Sequence, residues 1–266
     1  FKCVDACGAL SAIDFAQQPE IVELEIGAII VATGYDTWDP SKIEEYGFGV
    51  YENVTTMMEI ERLHCAGGPT VGEFVRPSDG KVPKNLALIQ CVGSRDKRYH
   101  EYCSGFCCMY TIKNAVQWKQ TYPDADITIF YMDIRTPFCA ELEYETARRK
   151  GIGFIRSKPA AVWAKRENGR LIVQYEDTLD GALRFMETDM AVLSVGAEPP
   201  RDAAAMAESL GIATEESGFF ACEPAPVFTR AKGVFVAGAA GGPKDIRACL
   251  AEGTAAAAQA AIICKE

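Results

Sequence analysis

The sequence predicts an α/β protein whose core is a wound parallel β-sheet. The unbroken apolar run Ala28–Ala32 is typical of a strand buried on both faces of such a sheet, and Leu86–Gln90, apolar up to Ile89, predicts a second buried strand. Strand-like and helix-like segments alternate between residues 86 and 150. Residues 153–195 instead hold short strands separated by hairpin signals. The expected fold is therefore a Rossmann-like sheet that also carries a β-meander.

The first half of the chain follows the order β-α-β-α. Residues 21–35 predict a strand that ends in a tight turn. Residues 36–85, rich in Pro, Gly and charge, predict a connector with one short helix at about 55–63. The elements expected next are a strand at Leu86–Gln90, a helix at about 104–120, a strand at Ile127–Met132 and a charged amphipathic helix at about 141–150.

The second half changes from alternation to hairpins and then returns to the sheet. Asn168-Gly169 and Asp180-Gly181 are strong hairpin signals. The strands expected around them are Phe154–Ile155, Ala161–Lys165, Leu171–Tyr175 and Leu183–Glu187. Met190–Val195 and Gly233–Gly238 follow as buried strands, and the Ala-rich stretch of about Asp245–Cys264 predicts a long helix.

Composition excludes several classes of protein. The chain has 266 residues, of which 48% are hydrophobic, which is incompatible with a disordered protein. A formal charge of −10 makes a nucleic-acid-binding role improbable. No apolar run reaches the roughly 18 residues needed to cross a bilayer, so we expect no membrane span. The first residues lack an apolar signal region and an initiating Met, so we expect the chain to start inside a longer one.

The 11 cysteines are the strongest chemical signal. A secreted disulfide scaffold is usually short and poor in core residues, so a reducing cytoplasm is the expected location. Clustered cysteines there bind metals or do redox chemistry. Six cysteines form two groups, Cys3/Cys7 and Cys91/Cys103/Cys107/Cys108. The others are predicted to be buried structural thiols, and these are Cys65, Cys139, Cys222, Cys249 and Cys264.

Three apolar strands end in a glycine turn, at Gly34, Gly196 and Gly238. Ligands of wound α/β sheets sit at the carboxyl ends of strands, where glycine allows the backbone to approach closely. After Gly238 the sequence runs into a helix, whose N-terminus and the preceding Lys244 suit an anion. A plain tight turn is the alternative.

The cysteine group after Leu86–Gln90 stands where a nucleotide-binding domain has its G-x-G-x-x-G loop. Its spacing is Cys91-x11-Cys103-x3-Cys107-Cys108. Four thiolates are the usual ligands of a [4Fe–4S] cluster, and a helix N-terminus should lower their pKa. A zinc site, a redox disulfide and unliganded thiols stay open as alternatives. Asp133, where a dinucleotide domain keeps its ribose-binding acid, is interpreted as a vestige or a cap.

The order of ATGYD, LSVG and GVFVAGAAGGPKDI resembles the thioredoxin-reductase-like flavoprotein disulfide reductases. The resemblance implies a two-domain flavoprotein with an incomplete FAD domain, because no G-x-G-x-x-G precedes ATGYD. It divides the chain into a partial FAD domain (19–40 and 196–266), a connector (41–85) and an inserted dinucleotide-binding-like domain (86–195). We expect weak or no FAD retention by this chain. The implied flavin contacts are Thr33, Gly34, Gly196, Gly238, Ala239, Lys244, Asp245 and Ile246.

The segments CVGSRD and YCSGFCCMYTIKNA, with RPSDGK before them and VAGAAGGPKDI after, closely resemble the A-subunit family of heterodisulfide reductases. They also resemble related subunits of quinone-interacting membrane-bound oxidoreductases. The family resemblance implies an electron-transfer subunit that carries FAD and a [4Fe–4S] cluster bound by Cys91, Cys103, Cys107 and Cys108. It also implies partner redox subunits in a larger complex, and a homodimer is possible.

The N-terminal CVDACGALSAIDF resembles the end of a bacterial ferredoxin motif. Cys3 and Cys7 have the spacing of its last two ligands, and Ser11–Phe15 matches the strand that usually follows. Residues 1–18 are therefore interpreted as the remnant of a ferredoxin-type domain. Because the other ligands would lie before residue 1, we expect Cys3 and Cys7 to be unliganded.

Neither histidine pairs with an acid in a pattern that suggests catalysis, and no catalytic residue is expected. His64 and His100 lie in polar stretches and are predicted to be solvated. Two other functions remain open at this point. One is an NAD(P)H-dependent flavin disulfide reductase, which the missing C-x-x-C argues against. The other is a zinc-stapled scaffold subunit without catalysis.

Overall fold

The computed structural model describes residues 2–10, 12–137 and 140–265. In chain order the strands are β1 (Ile29–Val31), β2 (Asp36–Thr37), β3 (Val54–Thr56), β4 (Asn85–Val92), β5 (Asp126–Tyr131), β6 (Gly153–Arg156), β7 (Ala161–Ala164), β8 (Leu171–Asp177), β9 (Ala182–Thr188), β10 (Met190–Val195), β11 (Ala197–Glu198) and β12 (Val234–Val236). The α-helices are α1 (Lys2–Cys7), α2 (Met57–His64), α3 (Cys107–Thr121), α4 (Glu141–Arg149), α5 (Ala203–Leu210) and α6 (Ile246–Ile263).

A five-stranded parallel sheet in the order β3-β10-β4-β5-β6 forms the centre of the structure. Every residue of β10 is buried, as the apolar sequence of this strand predicts. Residues Leu86 and Leu88 pack with helices α2 and α3 on one face. Residues Ala87 and Ile89 pack with the meander on the other. The alternation of strand and helix thus confirms the predicted wound α/β sheet.

The meander is a three-stranded antiparallel sheet in the order β7-β8-β9. The predicted turns occur where expected, since Gly169 and Gly181 both have the positive φ that these tight turns require (69° and 70°). Val162 and Val173 face each other across β7 and β8 and are buried against the central sheet.

The segment 36–85 differs from the predicted connector, because it supplies strand β3 to the edge of the central sheet. The expected helix follows directly as α2. Its N-terminus is a capping box in which the Glu59 N–H donates to Thr56 Oγ1 (3.3 Å) and the Thr56 N–H donates to Glu59 Oε2 (2.6 Å). Strand β3 is short and follows a turn, so the apolar pattern was too brief to reveal it.

A second, two-stranded parallel sheet pairs β1 with β12. The predicted strand over 21–35 was wrong for most of that segment, because only Ile29–Val31 is strand. Within it, the expected burial of Ala28–Ala32 on both faces was wrong for Ile30, which is 41% exposed. The apolar side chains of 21–26 lie in solvent.

The N-terminus also departs from expectation. Residues 2–7 form α1, and residues 12–15 have no strand where the ferredoxin-like pattern predicted one. Ser11, the first residue of that predicted strand, lies outside the described residues.

Helix α6 confirms the predicted Ala-rich helix, and the Asp245 side chain caps it by accepting the N–H of Ala248 at 2.8 Å. Its 18 residues have a mean hydropathy of 1.2 and only 6% of them are buried. By length and composition this is one helix that could cross a membrane, which the prediction of no span did not anticipate. Length and composition alone do not separate a span from a helix of a soluble protein.

Candidate functional site

The site begins at the carboxyl end of β4, where a β-bulge redirects the chain. Ile89 pairs with Leu193 and Val92 pairs with Val195, so three residue steps on β4 correspond to two on β10. The extra residue lies at Gln90 and Cys91, and Cys91 has a φ of 59°. Bulges of this kind aim a side chain away from the regular pleat. Here Cys91 is 5% exposed and lines a cavity beyond the strand end.

The loop after β4 folds back to bring Cys103 to the same cavity. Backbone hydrogen bonds close it, from the Arg95 N–H to the Tyr102 carbonyl and from the Asp96 N–H to the His100 carbonyl, both at 3.0 Å. Below them, the buried hydroxyls of Ser94 and Ser104 share a hydrogen bond of 2.8 Å. The Ala197 N–H donates to the Ser104 hydroxyl at 2.9 Å, which fixes this loop to β11.

Helix α3 supplies the last two cysteines from its first turn. The helix begins at Cys107 and not at about 104 as predicted, because Gly105 has a φ of 75°. This irregular start puts both Cys107 (6% exposed) and Cys108 (7% exposed) on the buried side. The Cys107 thiol lies 3.7 Å from the Val195 carbonyl and the Cys108 thiol 3.8 Å from the Asp133 carbonyl. The Gly105 N–H donates to Cys103 Sγ at 3.3 Å.

All four cysteines of the predicted quartet therefore line one small cavity. The cavity volume is about 10 Å³, which is room for about one water-sized sphere. Among the residues that the structure describes, no three side chains are grouped closely enough to hold a single metal ion. One zinc ion needs every sulfur about 2.3 Å from one point, whereas a cluster separates its thiolates by the body of the cube. The described arrangement therefore holds no group of three sulfurs around one point, which a single zinc ion would need.

Burial, and not the helix N-terminus, dominates the acidity of these thiols. It raises the pKa of Cys91 to about 11 and that of Cys107 to about 12, and neighbouring cysteines of the quartet add to both shifts. Burial also raises the pKa of Cys108. The predicted lowering of the thiol pKa was therefore wrong for these three residues. A cluster that binds here must displace their protons, which couples its assembly to pH.

Two arginines and one aspartate complete the wall of this cavity. Asp133 lies just beyond the end of β5 and forms a hydrogen-bonded ion pair with Arg95. Its carboxylate also lies 3.5 Å from Nε of Arg135. The Asp133 carboxylate is thus paired with arginines, and it is neither a helix cap nor an unpaired acid.

A much larger cavity, of about 1320 Å³, lies between α3 and α6. Ala239, Lys244, Asp245 and Ile246, four of the predicted flavin contacts, line it. Sequence reasoning missed the aromatic side of this cavity, which is formed by Tyr35, Phe106 and Tyr110. Their rings lie 5.3 Å (Tyr35 to Phe106) and 5.7 Å (Phe106 to Tyr110) apart between centroids. The Y in ATGYD and the F and Y that flank the last two cysteines were the available signals.

The other four predicted flavin contacts do not line this cavity. They are Thr33, Gly34, Gly196 and Gly238. Gly196 packs against the cysteine loop instead, since a Cβ there would lie 2.2 Å from Ser94 Oγ. Gly105 has a special position, because it lines both the large cavity and the cysteine cavity.

Lys244 is not the free cation that the sequence suggested. Its ammonium pairs with Glu252 at 2.7 and 2.8 Å, and the same carboxylate accepts the Gly238 N–H at 2.9 Å. The Asp245 cap already satisfies a further N–H at this end of α6. The predicted anion site at this helix terminus is therefore filled by the chain's own carboxylates.

The two histidines and the cysteines outside the quartet differ in part from what the sequence predicted. His64 is packed and not solvated, with its ring 5.0 Å from that of Phe74, and burial lowers its pKa. His100 stacks on Tyr102 at 4.9 Å. Of the cysteines predicted to be buried, Cys65 and Cys264 are exposed, Cys222 and Cys249 are half-buried, and Cys139 lies outside the described residues. Cys3 is exposed on α1, and Cys7, at its end, is half-buried.

The chain is similar in sequence to curated subunits of heterodisulfide reductases. It is 52% identical over 256 residues to an iron-sulfur A subunit (A 2) of CoB–CoM heterodisulfide reductase from Methanopyrus kandleri, covering 94% of this chain and 39% of that protein. It is 45% identical to the A subunit of the H2:CoB–CoM heterodisulfide,ferredoxin reductase of Methanothermobacter marburgensis, covering 98% and 40%. Over the matched region, the chain is similar to the A subunits of heterodisulfide reductases.

The chain spans about two fifths of the length of these relatives. No protein-family profile matches it. The fold is that of solved thioredoxin reductases. The structure from T. acidophilum matches with a TM-score of 0.55 at 15% identity, over 88% of this chain and 64% of the other. The Lactococcus lactis enzyme gives 0.55 at 19% identity, over 89% and 65%. These matches confirm the predicted resemblance to heterodisulfide reductase A subunits and the predicted thioredoxin-reductase-like α/β fold.

Proposed function

We propose that this chain is the electron-transfer region of a heterodisulfide-reductase-like A subunit, in which Cys91, Cys103, Cys107 and Cys108 bind a [4Fe–4S] cluster beside a flavin site. One observation carries the proposal. Three separate parts of the chain, the end of β4, the loop after it and the first turn of α3, deliver four cysteines to one cavity. The named relatives are iron-sulfur and heterodisulfide reductase subunits, which supports the same assignment.

The donor set fits a cluster better than it fits the alternatives. Four cysteine sulfurs without histidine among the lining residues are the usual ligands of a [4Fe–4S] cluster. A cluster bound to four thiolates carries net negative charge, and Arg95 and Arg135 lie at the same cavity to offset it. Burial keeps water away from three of the four sulfurs, and the bulge at Cys91 sets the direction of the first.

The flavin is proposed to occupy the large cavity. Tyr35, Phe106 and Tyr110 offer an aromatic wall, and Ala239 and Ile246 offer apolar surface opposite it. Gly105 lines both cavities, so the two adjoin each other at this residue. The Tyr110 hydroxyl donates to the Val195 carbonyl at 3.2 Å, which holds the ring at this wall. When bound, the cluster and flavin supply one- and two-electron storage to the site.

The same assignment leads us to propose the partners and the location of the protein. Its physiological partners are other redox subunits of a multi-subunit complex, and its location is the cytoplasm. The exposed apolar side chain of Ile262, near the end of α6 and outside the large cavity, is available to the rest of such an assembly or to a second copy of the chain.

Iron and acid-labile sulfide analysis on anaerobically prepared protein tests the cluster. We expect about four of each per chain, because the quartet supplies the ligands of one [4Fe–4S] cluster and Cys3 and Cys7 cannot hold a complete one. Cys107→Ser should lose most of the iron. Cys65→Ser, at an exposed thiol outside the quartet, is the matched control and should keep it. Zinc without sulfide, or equal iron in both variants, would contradict the proposal.

A flavin disulfide reductase with its own active-site thiols finds no support among the described residues. The cysteines there are all free thiols, and none of the quartet is spaced as C-x-x-C. NADPH-dependent reduction of dithionitrobenzoate by the chain would reopen that function.

A further inference from the structure

The acid at the tip of β5 has an arrangement that the cysteine spacing alone does not explain. In a nucleotide-binding domain this position holds the acid that binds ribose. Here the Asp133 carboxylate instead pairs with the Arg95 guanidinium and approaches Arg135 at 3.5 Å. All three side chains line the cysteine cavity.

The two arginines together act on three of the four cysteines. The Arg95 guanidinium interacts electrostatically with Cys91 and Cys103. Arg135 lines the same cavity, and both its backbone N–H and its charge favour the Cys108 thiolate. The Arg95 side chain is 24% exposed and that of Arg135 is 51% exposed, so solvent screens Arg135 more strongly. Arg95 is therefore the cation with the greater effect on the quartet.

Arg95 is also held in an unusual backbone conformation. Its φ is 55°, a value that a side chain of this kind rarely adopts. The loop closure from the Arg95 N–H to the Tyr102 carbonyl maintains it. Backbone strain that the surrounding contacts maintain commonly marks a functional position. The loop and Asp133 thus fix the guanidinium from both ends.

We propose that Asp133 positions Arg95 against the cysteine quartet, and that Arg95 thereby raises the reduction potential of the iron–sulfur cluster bound there. This inference rests on the proposed cluster. Reduction adds one electron to a group that is already negative, so a fixed cation nearby stabilises the reduced form more than the oxidised form. Asp133 is the positioning residue in this scheme, and Arg95 binds no iron and acts on the ligand sulfurs only through its own charge.

The test is a redox titration monitored by electron paramagnetic resonance, run with iron and sulfide counts on anaerobic protein. Arg95→Gln should lower the ratio of reduced to oxidised cluster at a fixed potential about tenfold, a shift of about 59 mV for a one-electron couple. Arg95→Lys keeps the charge but loses the planar fork that pairs with Asp133, so it should shift less in the same direction. Arg184→Gln, in the β8–β9 hairpin, is the matched control and should titrate like wild type.

The outcomes separate the two proposals. Wild-type protein without iron and sulfide would defeat the cluster itself. A cluster that is present, with Arg95→Gln fully loaded and titrating like wild type, would overturn the role of Arg95 alone. If Arg95→Gln fails to keep its iron, the Arg95→Lys titration decides, and an unchanged potential there would also overturn it.

Discussion

Replacing Gly196 by alanine should damage the cysteine cavity without touching a cysteine. Gly196 follows β10, and a Cβ at this position would lie 2.2 Å from Ser94 Oγ and 3.0 Å from Ser104 Oγ. These two hydroxyls form the buried hydrogen bond inside the loop that joins Cys91 to Cys103. The φ of Gly196 is not in the left-handed region, so alanine at this position has a steric effect and not a conformational one.

The expected cost follows from these contacts. Forcing a methyl into this packed space costs about 1–3 kcal/mol. Displacing the Ser94 hydroxyl from its buried partner adds about 1–3 kcal/mol. We therefore expect Gly196→Ala to lower the free energy of unfolding by about 2–6 kcal/mol and to reduce the iron retained by the chain.

Urea unfolding followed by tryptophan fluorescence measures this cost, together with the iron content of each variant. Gly253→Ala is the matched control. Gly253 lies in helix α6, and a Cβ at this position would meet no atom within 4 Å. It should be neutral or stabilise by up to about 1 kcal/mol. Adding Ser94→Ala to Gly196→Ala removes the closest clashing atom and should recover part of the loss. A Gly196→Ala protein as stable as wild type would refute the packing argument.

Three further predictions concern other parts of the structure. Thr56→Ala removes the hydroxyl of the α2 capping box and should cost about 1 kcal/mol in urea unfolding; Glu59→Gln keeps the reach of the box and should cost less. His64 is held neutral by burial, so its folded pKa lies below the unfolded value, and stability should fall as pH drops below about 6.5; His64→Phe should flatten that slope in a pH series of unfolding curves. Glu252→Gln leaves Lys244 without its ion-pair partner and should cost about 1–3 kcal/mol by thermal or urea unfolding, and an unchanged stability would show that the pair contributes nothing.

The sequence was sufficient for features that depend on local pattern. The apolar runs at β4 and β10 identified buried strands, because a parallel sheet covered on both faces needs unbroken apolar sequence. Asn168-Gly169 and Asp180-Gly181 located both hairpins. The quartet was found because its position relative to a strand and a helix, and not only its spacing, matched a ligand loop.

Features that depend on distant partners could not be found in this way. The bulge at Cys91 arises from a register shift against β10, which no local pattern encodes. Strand β1 was predicted to be buried on both faces, but such burial depends on the layers packed against the sheet, and Ile30 is 41% exposed. The partner of Lys244 is Glu252, one of the polar residues on a largely apolar helix, so its charge was wrongly expected to be free.

The prediction of a lowered pKa for the thiols was wrong for a similar reason. The start of α3 was expected to lower their pKa, and the helix does begin at Cys107. Desolvation in the cavity exceeds that effect, since Cys107 and Cys108 are 6% and 7% exposed. Neither the depth of the cavity nor the closeness of the other thiols is encoded in a local pattern.

An iron anomalous difference map from crystals grown without oxygen tests the central claim most directly. If the quartet binds a cluster, we expect one compact peak of several iron atoms, bounded by the sulfurs of Cys91, Cys103, Cys107 and Cys108. A single zinc peak, or iron located away from these four sulfurs, would contradict it.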